Sequence, residues 1–196
     1  GSPIREVADL RGKRVDIGLP SSGTRYDAVL VLAAYGLQVS DLAEARQGGL
    51  EEAMRRLQDG KLDAFFTTIA APARNLQEFA ARHGFRLLSL QGRGIERLVQ
   101  QGPGLIDITI PANTYPAQTE DVHTLAVVAL LVTTSEAPDA EVQRVTELVF
   151  DKLNFAASGS AEGAKVSKRT ALRGVTIPMH PGASRYFGTA PAPAKK

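Results

Sequence analysis

Ser21, Ser22, Gly23 and Thr24 stand between an alternating apolar run, Val15, Ile17 and Leu19, and a helix-periodic run from Tyr26 to Tyr35. That order reads as a strand, a turn of small residues, and a helix whose first amides face the space beyond the strand's end. The first amides of a helix have no partners within it, and the aligned peptide dipoles leave partial positive charge there. A carboxylate or phosphate is therefore held without a dedicated cation. The hydroxyls of Ser21, Ser22 and Thr24 add donors, and Gly23 removes the side chain that would keep the backbone at a distance. The same residues also suit an ordinary helix cap, with Ser22 or Thr24 accepting from a first-turn amide. Arg25 likewise either adds a charge for a carboxylate or is a solvated first-turn residue. Both pairs of readings stay open at this level.

Two further polar segments fall at strand ends or just beyond them, Thr67-Thr68 and Asn113 to Tyr115. Converging hydroxyls and an amide describe a pocket for a polar small molecule better than a reaction centre. No nucleophile and base stand at triad spacing. His83, His123 and His180 have no partners at metal-ligand spacing, so the expectation is neither an enzyme nor a metal protein, and no cofactor. Gly18 to Gly23 is neither a Walker loop, because no Gly-Lys-Ser/Thr follows, nor a dinucleotide fingerprint.

The elements that must position these residues alternate. Apolar strand patterns at Val15 to Leu19, Ala43 to Gln47, Leu62 to Ile69 and Phe85 to Leu90 are separated by helical patterns at Tyr26 to Tyr35, Leu50 to Asp59 and Arg74 to His83. Met54, on the apolar face of the second helix, reads as core filler. Such β-α-β-α order points to a mostly parallel sheet covered by helices, in which ligands sit beyond the carboxyl ends of the strands. Ile95 to Gln101 reads as a short helix, Leu105 to Ile110 and Thr124 to Thr134 as strands, and Val142 to Phe155 as an amphipathic helix.

Composition bounds the function classes. The 196 residues and 43% hydrophobic content support a packed globular core. Charge is nearly balanced at +2, with no basic stripe interleaved with aromatics, which argues against nucleic acid as a partner. No apolar run reaches membrane-spanning length. The absence of cysteine excludes disulfides and thiolate metal sites and fits an exported bacterial protein. Gly1-Ser2 reads as a cloning remnant, and Thr189 to Lys196 as a Pro/Ala tail with no means of packing.

Several segments, in order, resemble the TAXI family, the solute-binding subunits of tripartite ATP-independent periplasmic (TRAP) transporters. They are Asp9-Leu-Arg-Gly-Lys-Arg-Val15 leading to Ser22-Gly-Thr24, then Asp59-Gly-Lys-Leu-Asp-Ala-Phe-Phe66, then Ile110-Pro-Ala-Asn-Thr-Tyr-Pro-Ala-Gln118 with Glu120-Asp-Val122, and Ile177-Pro-Met-His-Pro-Gly-Ala183. The resemblance runs from about Ala8 to Tyr186. It implies a type II periplasmic-binding-protein fold, two α/β lobes closing over a small anionic solute such as glutamate or a related acidic amino or keto acid. It also implies TRAP membrane permease subunits as partners and a periplasmic or otherwise extracytoplasmic location. Ser22, Gly23 and Thr24 match the family's helix-start loop in the cleft, and Thr114 and Tyr115 its Pro-x-x-Thr-Tyr loop. Thr67 and Thr68 occupy a strand end facing that cleft.

One departure from the resemblance concerns the N-terminal part that family members carry before the Asp9 to Val15 segment. Its absence leads to the expectation of an N-terminally truncated receptor, mainly the second lobe. Residues 1–14 are then remnant and lead-in, and 15–122 an α/β lobe. Residues 123–188 form a returning strand with C-terminal helices of the other lobe, and 189–196 the disordered tail. The apolar faces of Leu125 to Val132 and Val142 to Phe155 are then expected to lack cover and to favour a dimer, and the chain alone to bind its solute weakly or not at all. The alternative function, from another class, is a sensory or protein-interaction module on the same fold.

Overall fold

The computed structural model describes residues 2–101, 104–152, 163 and 166–189, and it divides into a unit of Gly1–Ala126 and a unit of Val127–Lys196. The first unit is α/β. Its centre is β1 (Arg14–Asp16), flanked in parallel by β2 (Glu44–Arg46) and β3 (Ala64–Phe65) in the order β2-β1-β3. Val15 pairs with Ala45 on one side and Ala64 on the other. A central parallel strand must be covered on both faces, and the side-chain alternation shows how. Val15, Ile17, Ala64 and Phe66 point into one apolar cluster with Val7, Leu10 and helix α1 (Gly23–Ala34), while Phe65 joins a second with Met54, Leu76 and Phe79. The last three come from α2 (Leu50–Gln58) and α3 (Arg74–His83), and Met54 is the core filler its spacing implies.

The remaining elements of this unit are α4 (Arg93–Gln101) and a two-stranded antiparallel sheet of β4 (Leu105–Ile110) and β5 (Val122–Val127). Helix α4 packs on α1, and an added Cβ at Gly94 would lie 1.9 Å from the Ala34 carbonyl oxygen. The Tyr35 hydroxyl secures the same junction, donating to the Gln91 carbonyl (3.0 Å) and accepting from the Gln91 amide (2.8 Å).

Several expected strands are shorter than their apolar runs. The Leu62 to Ile69 pattern yields only Ala64–Phe65 in a ladder, and Thr124 to Thr134 yields Val122–Val127. Phe85 to Leu90 forms no strand at all. It still obeys a period of two, with Phe85 and Leu87 against one core and Leu88 and Leu90 against the other. Its backbone is held instead at points: the Leu90 amide donates to the His123 carbonyl (2.8 Å), and Ser89 Oγ accepts from the His123 amide (3.2 Å).

An ion pair ties β1 to the start of β3. Arg14 donates to Asp63 through Nε (3.0 Å) and Nη2 (2.7 Å), and the Arg14 backbone N–H donates to the same carboxylate (2.8 Å). The Arg14 side-chain hydrogen bonds hold the Asp63 carboxyl below its ordinary value, and its side chain is 28% exposed. A depressed acid contributes stability above its unfolded pKa of ~3.9 and loses that contribution as pH falls through the lower folded value. Asp63→Asn is therefore expected to cost about 1–2 kcal/mol in urea denaturation at pH 7, with the two stability curves converging as pH falls through the depressed folded value. Parallel curves over that range would show that the charge is not what matters.

The second unit pairs α5 (Asp139–Glu147) with α6 (Pro181–Phe187), and a π-helical turn, Leu148–Lys152, follows α5 directly. The end of the expected helix, Leu153 to Phe155, and Ala190 to Lys196 of the expected tail lie outside the described residues. Close approach needs Gly182, since a Cβ there would sit 2.2 Å from the Asp139 carbonyl oxygen. Arg185 donates to Asp139 (2.7 Å), and His180 caps α6 by accepting from the Gly182 amide (3.1 Å). Leu131 and Val132 are 80% and 64% exposed.

Candidate functional site

A cleft of about 230 Å³ opens at the carboxyl end of β1. Its lining comes from three places: the loop leading into α1 (Gly18, Leu19, Ser22, Thr24), the start of α2 (Gly48, Gly49, Leu50, Ala53), and the segment after β3 (Phe66 to Ile69). Asp16 also lines it, as its floor.

Asp16 organises this floor. It is 1% exposed, yet both carboxylate oxygens are used: Oδ1 accepts from the Gly18 amide (2.9 Å) and Oδ2 from the Gly48 amide (2.8 Å). One side chain therefore fixes two glycine turns, each of which opens a helix. Gly18 has φ of +90°, and a Cβ on it would meet Thr24 Cγ2 at 2.7 Å. A Cβ on Gly48 would meet Asp16 Oδ2 at 2.7 Å. Only glycine suits either position. One turn into α2, the Arg56 guanidinium holds the Glu52 carboxyl below its usual range, through bonds of 2.8 and 2.6 Å.

Ser22 caps α1. Its Oγ accepts from the Arg25 amide (3.2 Å) and donates to the Leu19 carbonyl (2.7 Å). The Tyr26 amide bonds to the Ser22 carbonyl (3.2 Å), which leaves the Gly23 and Thr24 amides without partners among the described residues. Thr24 acts differently, since its Oγ1 accepts from the Thr68 amide (3.1 Å), and Thr68 Oγ1 donates to Asp27 (2.7 Å). The first turn of α1 and the segment after β3 are thus clipped together.

Of the residues expected to touch a solute, Ser22, Thr24, Thr67 and Thr68 line the cleft together. Gly23 lies between two lining residues without lining it, and Arg25 is outside the lining, with its Nη1 buried and unpartnered among the described residues. Thr114 and Tyr115 are also outside it. Tyr115 is 3% exposed in the second core, where its hydroxyl accepts from the Ala73 amide at the head of α3 (3.1 Å). Thr114 Oγ1 donates to the Pro111 carbonyl (2.6 Å), and its own carbonyl accepts from Gln77 (3.1 Å). That loop braces α3.

Sequence reasoning missed Asp16, and with it the apolar lining from Leu19, Leu50, Ala53, Phe66 and Ile69. The signal for Asp16 was present: an acid between Val15 and Ile17 in a strand buried on both faces needs partners for its oxygens. Among the described residues no cluster of His, Cys, Asp and Glu is suited to a metal ion, and no helix is long and apolar enough to cross a membrane.

A parallel sheet with glycine turns and a small cleft at its carboxyl edge is the α/β arrangement in which ligands sit beyond the strand ends. The chain matches the NMT1-like family over residues 1–188 and belongs to it. This is a periplasmic-binding-protein-like family, related to the TRAP/TAXI binding proteins, and its members are binding proteins.

Proposed function

We propose that the chain is the solute-binding domain of a TAXI-type receptor that captures a small carboxylate outside the cytoplasm and presents it to TRAP permease subunits. The observation that carries this reading is the start of α1, where the Gly23 and Thr24 amides have no partners among the described residues and Thr24 lines a cleft that also offers the Thr67 and Thr68 side chains. The Thr24 hydroxyl uses its oxygen to hold Thr68 and keeps its hydrogen for an acceptor in the cleft. Family membership supports a solute-binding role, and the order of the TAXI-like segments supports that branch. A carboxylate oxygen accepts from the helix end without a cation beside it.

The test is residue-resolved titration by amide chemical shifts, using acidic amino acids, keto acids, dicarboxylates and monocarboxylates, each beside its uncharged amide. Carboxylates are expected to move the Gly18, Gly23, Thr24, Gly48 and Thr68 amides, and their amides to leave them still. Thr24→Val is expected to weaken binding about tenfold, the worth of roughly one hydrogen bond to a charged group, while Thr24→Ser keeps it. Binding unchanged in Thr24→Val would confine that hydroxyl to the clip. Amide shifts read binding even in the millimolar range, where a chain that binds weakly on its own still responds, and no shift there with any acid would move the reading to an interaction module.

A further inference from the structure

Resting on the carboxylate reading above, we infer that the solute's other end is apolar: the cleft selects a monocarboxylate bearing a branched aliphatic or aromatic group over a dicarboxylate of the same length. Leu19, Leu50, Ala53, Phe66 and Ile69 contribute the cleft's apolar walls. Two of these, Leu19 at 51% and Ile69 at 44% exposure, stand at the lip with much of their surface in water. Covering that surface with an apolar group releases water and is favourable in proportion to the area covered.

No lysine or arginine is among the described lining residues, and the one acid among them, Asp16, has both oxygens taken by Gly18 and Gly48. Among the described residues the start of α1 has two unpartnered amides, Gly23 and Thr24, enough for one carboxylate. A second carboxylate placed against Leu19, Phe66 and Ile69 would lose its hydration, meet no cation and find among the side-chain donors there only the Thr67 hydroxyl, since Thr68 donates to Asp27; at the start of α2, which also lines the cleft, it would meet the Asp16 and Glu52 carboxylates that flank Gly48. A branched hydrocarbon in the same place loses nothing. The cleft volume, about 230 Å³, lies below the ~300–1,000 Å³ of drug-sized pockets and suits a small organic acid.

Isocaproate and glutarate isolate the difference, because they share a carboxylate and a five-carbon main chain and differ in an isopropyl end against a carboxymethyl end. Isocaproamide completes the set by removing the shared charge. Amide-shift titration of the intact chain is expected to show isocaproate binding about tenfold or more tightly than glutarate, the scale on which a hydrocarbon pocket discriminates. Isocaproamide is expected to bind more weakly than isocaproate. Ile69→Lys places a cation at the lip and is expected to invert the ratio of the two acids, whatever it does to each alone. Glutarate bound as well as isocaproate, or a ratio unmoved by Ile69→Lys, would overturn the inference and leave the carboxylate reading standing. Isocaproamide equal to isocaproate would overturn the carboxylate reading while the apolar wall remained supported. No binding by any of the three overturns both.

Discussion

Asp16→Ala is expected to cost about 2–5 kcal/mol of folding stability, a large part of the ~5–15 kcal/mol available to a typical domain. The reason lies in what the substitution leaves behind rather than in the contact it removes. Gly18 and Gly48 each direct an amide at the Asp16 carboxylate, and neither amide is placed for another acceptor once that side chain is gone. A buried donor left unsatisfied costs about 1–3 kcal/mol. Asp16→Asn is expected to fall between wild type and alanine, because its amide group presents hydrogens to one of the two N–H groups while its oxygen satisfies the other. Urea denaturation of the three proteins, with amide shifts of Gly18 and Gly48 as a local readout, gives the comparison. An Asp16→Ala protein within about 0.5 kcal/mol of wild type would mean that water reaches those amides, and that the cleft floor does not depend on the side chain.

The second large effect is expected at Gly94→Ala, in a different part of the fold. The new methyl group would stand 1.9 Å from the Ala34 carbonyl oxygen and 2.9 Å from the Ala34 carbonyl carbon. Both are backbone atoms at the end of α1, so no rotamer change relieves the overlap and the two helices must part. Overpacking of this kind costs about 1–3 kcal/mol, and a backbone obstacle places it at the upper end. The Tyr35 hydroxyl bridge to Gln91 reports the separation, since it spans the same junction. Tyr35→Phe in the Gly94→Ala background is expected to add less than it does in wild type, because the bridge is already strained. Additive effects would show that α4 shifts without disturbing that bridge.

The α/β character was legible because it rests on spacing. Arg74–His83 and Leu105–Ile110 appear where the pattern placed them, and α2 ends within a residue of its expected stop. Strand lengths were not legible, because an alternating run shows which residues can be buried and not whether a partner strand runs alongside. Phe85 to Leu90 illustrates this: both faces are used, and the ladder is absent. In the site, the hydroxyl residues were found from their types, but the division of labour among them depends on three-dimensional partners. Ser22 caps, Thr24 and Thr68 clip, and Tyr115 turns inward to serve α3. Arg25 was ambiguous from its position alone, and the cleft lining omits it.

The two walls of the cleft differ in how freely they can change over evolutionary time. On the glycine side a single added methyl at Gly18 or Gly48 collides with Thr24 or Asp16, so drift there removes the cleft before it retunes it. Elsewhere in the lining Thr67, Ile69 and, at the lip, Leu19 present side chains that can be exchanged one at a time. A lineage built on this scaffold can acquire a new solute by editing one rim while inheriting the other unchanged. Descendants with different diets are then expected to differ first at Leu19, Thr67 and Ile69.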